Sequence, residues 1–111
     1  MSNSLHDHIE TIESGYEYLL AYAAQGRESD AGSEVRSTLT GMFEAATQIT
    51  QSLNGSEFNA VVIEDAKKAG AAIALVLAQG KISSELVDNL NASIHLRALL
   101  TDLFLLSETT D

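Results

Sequence analysis

The chain has no cysteine and no proline among its 111 residues. Without a thiol it can form no disulfide, thiol nucleophile or Cys-type zinc site. Without proline, long helices are spared the residue that most reliably breaks them. Positive charge is scarce too: six Lys and Arg stand against sixteen Asp and Glu, a formal charge of −10 at pH 7. Such a chain repels nucleic-acid phosphates and anionic lipid surfaces, which argues against direct nucleic-acid or membrane binding. Long hydrophobic runs are missing as well. The longest charge-free apolar stretch, residues 69–78, is half the ~20 residues that span a bilayer. The opening MSNSLHDHIE has neither the basic region nor the apolar core of a secretory signal. A soluble, cytoplasmic protein is expected.

Catalytic motifs are equally sparse. No Gly-x-Ser-x-Gly elbow occurs, and Gly80-Lys81 lacks the upstream glycine and the Ser/Thr of a phosphate-binding loop. Di-iron bundles need Glu-x-x-His pairs, but Asn3, Leu5 and Ala92 stand three residues before His6, His8 and His95. No catalytic residue, metal ligand or cofactor is assigned, and the chain is not expected to be an enzyme.

What is present is helical periodicity. Apolar residues make up 45% of the chain, the ordinary share for one folded domain. Four helices are predicted, over about 5–25, 34–53, 57–79 and 84–106, with flexible ends at 1–4 and 107–111. In the first, Leu5, Ile9, Ile12, Tyr16, Leu19 and Ala23 repeat at spacings of 4, 3, 4, 3 and 4. Val35, Leu39, Met42, Ala46, Ile49 and Leu53 repeat identically in the second. Both are narrow bundle-type seams. Ser4, with Asp7 completing a capping box, Ser33, Ser56 and Ser83 or Ser84 are the predicted N-caps. Gly26, Asn54-Gly55 and Gly80 are the predicted stops. Residues 60–63 also suit a strand, but their helical flanks and the lack of a partner strand favour helix. Similar lengths and short connections predict an all-α, antiparallel up-down-up-down four-helix bundle.

Residues 69–78 and 96–106 are apolar almost all the way round a helix, more than one small bundle is expected to bury. Surplus apolar surface marks interfaces. A homodimer through the third and fourth helices is therefore predicted, with Leu75, Leu96, Leu99 and Leu103 at the contact and the acidic first helix facing outward.

Two further groups on the first helix are candidate docking residues. Thr11, Gly15, Tyr18 and Tyr22 form a stripe off the apolar seam, suited to amphipathic anchors at an interface or to capping the core edge. His6, Glu10, Glu13 and Glu17 share one side of the helix. That side is a solvated face, a dock for a basic partner, or a loose metal site. Arg97 sits in an apolar half-helix, where it either meets Glu10 or Glu13 or extends its head to water.

The functional expectation is a small acidic helical interaction protein, namely an adaptor, a chaperone-like protein or a regulatory subunit. Its partners would be itself and an unidentified protein, contacted through Tyr18, Tyr22, Glu10, Glu13 and Glu17. The alternative is a metal- or small-ligand-binding bundle using Glu10, Glu13, Glu17 and His6 or His95. A mimic of nucleic acid follows from charge alone.

Overall fold

A computed structural model describes residues 4–109, and it contains five helices: α1 (Leu5–Ala23), α2 (Val35–Ser52), α3 (Phe58–Leu77), α4 (Ser84–Asn91) and α5 (Ile94–Thr109). There is no strand among the described residues, and residues 60–63 lie inside α3. Of the ends predicted to be flexible, 1–4 and 107–111, Ser4 is instead the N-cap of α1 and 107–109 form the last turn of α5, while 1–3 and 110–111 lie outside the described residues.

The main correction to the predicted architecture is the fourth helix, which is two. The chain leaves α4 at Ala92 and restarts at Ile94, with no glycine or proline to signal the break. Two side chains account for it. Asn91 is buried and its amide donates to the Leu19 carbonyl of α1 at 3.1 Å. Ser93 then accepts the His95 N–H on its hydroxyl at 3.2 Å, so it serves the first turn of α5. The Asn-Ala-Ser triplet is thus a helix boundary.

Capping explains the other ends. Ser4 and Asp7 form the reciprocal box at the start of α1, Asp doing the work of the longer Glu. Gly26, at φ +68°, turns the chain after α1 in a conformation that costs a residue with a Cβ. Ser83 caps α4 by accepting the Leu86 N–H. Ser33 and Ser56 do not cap in the predicted way. Ser33 donates to the Asp30 carbonyl and closes the preceding turn, so Glu34 holds the cap position of α2 without a side-chain bond. Ser56 bonds the Asn54 side chain, leaving Glu57 at the start of α3 with φ 53°.

The helices pack in a ring. α2 lies between α1 and α3, α3 carries α5 on its other flank, and α4 closes against α1. The first turn of α2 meets the last turn of α3, so these two are antiparallel. Arg36 makes the junction: its guanidinium donates to the carbonyls of Leu77 and Gln79, both at 2.9 Å. Those carbonyls have no partner within α3, and a cation there also suits the helix dipole. The core contains Ile12, Leu19, Leu39, Met42, Ile49, Ile73, Leu96, Leu99 and Leu103, all essentially without solvent contact. α1 and α2 approach closely at Gly15, where an added Cβ would lie 2.5 Å from Met42 Cγ.

Candidate functional site

Tyr22 is where the structure departs most from the expected docking residues. Its side chain is fully buried, so it is not a surface anchor. The hydroxyl donates to the Ile82 carbonyl at 2.6 Å and lies 3.2 Å from that of Ser29, tying α1 to both connecting segments. Burial pushes the phenol above its ordinary value of 10. Around it, Ser84 donates to the Tyr22 carbonyl at 2.7 Å, and the Ser84 N–H bonds the Arg27 carbonyl at 2.9 Å. The Arg27 guanidinium stands 5.6 Å from the Tyr22 ring centroid. Asp30 completes the cluster by accepting from Arg36 at 3.0 Å and from the Ile82 N–H at 3.0 Å. The guanidinium beside it holds its carboxyl down at about 2. Every one of these groups is committed to joining helix ends, which is structural work.

Tyr18 is half-buried, with its ring 6.3 Å from that of Tyr22 and its hydroxyl accepting the Glu34 N–H at 3.2 Å. Gly15, expected on the same outward stripe, is buried against Met42. The stripe therefore faces α2 rather than a partner. Beside it, the cleft between α1 and α2 is lined by Thr11, Ser14, Ser37 and the two glycines 15 and 41, and Tyr18 is its one titratable group.

On the other side of α1, Glu10 and Glu17 are exposed and Glu13 is half-exposed. His6 is exposed with them, whereas His8 is buried. Among the described residues, no three His, Asp or Glu side chains converge as a metal site would require. Arg97 is exposed, its head in water, and forms no ion pair with Glu10 or Glu13; among the described residues the guanidinium with an acidic partner is that of Arg36. His95 is exposed as well.

The four expected interface leucines divide. Leu96, Leu99 and Leu103 are fully buried within the single chain and offer nothing to a second copy. They form the inward line of α5, in the same core as the buried side chains of α1, α2, α3 and α4. Leu75 stands out from α3 at 67% exposure. With it on α3 is Val61, and on α5 are Ile94 at 75%, Phe104 at 52% and Leu105 at 51%. These exposed side chains lie on adjacent, packed helices.

Between the same two helices lies a feature that the sequence reading missed. Asp102, within the leucine line of α5, is only 7% exposed, and its Oδ2 has no hydrogen-bond partner. The carboxyl of Asp65 on α3 faces it within hydrogen-bonding reach. Burial first, and the neighbouring acid second, push Asp102 up to about 7. Its signal was an acid three residues after Leu99 and four before Leu106, inside an otherwise apolar line.

Charge is distributed unevenly over these surfaces. α1 carries Asp7, Glu10, Glu13 and Glu17 and no Lys or Arg, while α3 balances Glu64 and Asp65 with Lys67 and Lys68. No described helix is long and apolar enough to cross a membrane. Comparison with known proteins adds no relative: no family model, no curated protein and no solved structure matches the chain.

Proposed function

We propose that this protein works by docking, as a small acidic helical interaction protein whose contact face is the outer side of α3 and α5. The observation that carries this reading is the set of large apolar side chains left in water on these two helices: Val61 and Leu75 on α3, Ile94 and Leu105 on one side of α5, and Phe104 on its other flank. Exposed apolar residues gathered on neighbouring elements mark interaction surfaces. The first occupant is a second copy of the chain. A chain of charge −10 repels its own kind, and along α3, whose two acids are matched by two lysines, two copies approach without a local surplus of negative charge. A two-fold contact would set α3 and α5 against their mates and leave the acids of α1 outward. Glu10, Glu13 and Glu17 would then steer a basic protein partner, which is how an adaptor or regulatory subunit uses such a face.

Light scattering on size-exclusion fractions at micromolar concentration tests the contact. The wild type is expected to elute as a dimer, and the double variant Leu75→Glu, Leu105→Glu as an 11.8 kDa monomer. A wild type that is wholly monomeric overturns self-association. A native pull-down that recovers no stoichiometric partner counts against the adaptor role.

A further inference from the structure

An ionised carboxylate only accepts hydrogen bonds, so two of them placed face to face make no bond and repel. Asp102 and Asp65 are in that position across the α3–α5 contact. Asp102 is almost wholly removed from water and no protein donor reaches its Oδ2. A buried polar atom without a partner is costly, and a buried unpaired charge more so. One proton resolves both problems, because a protonated carboxyl donates to its neighbour.

We propose that Asp65 and Asp102 share one proton across the α3–α5 contact, and that its loss as pH rises loosens α5 from α3. This goes beyond the docking reading and needs only one chain. α5 packs against α3, α1 and α4. Among the charged and titratable groups of those helices, Asp65 is the one that bears on Asp102; His8, the buried titratable group of α1, does not. Among the described residues no Lys, Arg or His forms an ion pair with either acid, so a proton is what holds the pair.

The direction follows from linkage. The folded state keeps a proton that an ordinary carboxyl surrenders near 3.8, so stability falls as pH rises from there to about 7 and levels off above. The Leu99 and Leu103 side chains lie one turn or less from Asp102 on α5, so loosening there would bare core apolar surface.

Carbon-detected NMR titration of the full chain, with Asp102→Asn and Asp65→Asn beside the wild type, tests this. The wild-type Asp102 carboxyl is expected to titrate near 7. In Asp65→Asn its midpoint should fall but stay above 3.8, because burial persists. The Asp102→Asn amide can donate to Asp65 at every pH. That variant is therefore expected to lose less thermal stability than wild type between pH 5 and 8, with slower α5 amide exchange at pH 8. A wild-type midpoint near 4, or parallel stability curves for wild type and Asp102→Asn, overturns the shared proton. Intrinsic-rate-corrected α5 exchange that does not change between pH 5 and 8 in the wild type overturns the loosening.

Discussion

Gly15 shows how one missing methyl sets the spacing of two helices. An added Cβ would fall 2.5 Å from Met42 Cγ and 2.6 Å from its sulfur, inside contact distance of a side chain that is itself fully buried. Helix propensity alone favours alanine over glycine by about 1 kcal/mol. Overpacking a sealed core costs about 1–3 kcal/mol, and because Cγ is near the root of the methionine it cannot swing clear. Gly15→Ala is therefore expected to lower stability in urea unfolding, against the propensity. The same residue shows what periodicity does and does not give. The stripe of Thr11, Gly15, Tyr18 and Tyr22 was visible in the sequence, because spacing fixes the angle between side chains on a helix. Which flank of α1 would receive α2 was not visible, since that depends on the partner helix. So Tyr22 read as a docking residue, although its hydroxyl is the buried link to Ile82.

Among the elements, α1 to α3 were legible, and their bounds lie within two residues of the periodicity. The break between α4 and α5 was not, because neither Ala92 nor Ser93 is a helix breaker and the deciding bond, from Asn91 to Leu19, spans 72 positions in sequence. Arg36 was likewise invisible as a cap. Its targets are the carbonyls of a helix end some forty residues away, and no local pattern announces them. Arg36→Ala strips that end of its donors and is expected to cost about 1.5–3 kcal/mol, the value of a lost hydrogen bond to a charged group. Asp30 supports the same joint. Its carboxyl is held below the ordinary 3.8, so its contribution is complete above that pH and is lost as pH falls toward about 2. The melting temperatures of wild type and Asp30→Asn should accordingly differ at pH 6 and converge by pH 2.

For the molecule as a whole, the sequence shows an apolar surplus, but three of the four leucines it assigned to a contact lie inside the chain. Leu96, Leu99 and Leu103 complete the core, whereas Leu75, Ile94, Phe104 and Leu105 stay outside. Composition counts greasy side chains and cannot say which of them a broken helix will turn inward. The acid surplus makes its own prediction for self-association. Two copies of a chain at −10 repel over about a Debye length, which shrinks from about 30 Å at 0.01 M salt to about 8 Å at 0.15 M. The dimer dissociation constant, measured by sedimentation equilibrium, should fall as salt is raised through this range. A constant that rises with salt would mean that the contact is made by ion pairs and not by apolar area.

The close approach at Gly15 also gives the protein an internal reporter. Met42 is the one methionine among the described residues, and its thioether is sealed beneath the α1 backbone. Peroxide can reach that sulfur only while α1 stands away from α2, so the rate of sulfoxide formation counts those excursions. Once oxidised, the larger polar group no longer fits under a helix that leaves no room for a methyl, and a brief opening becomes a lasting one.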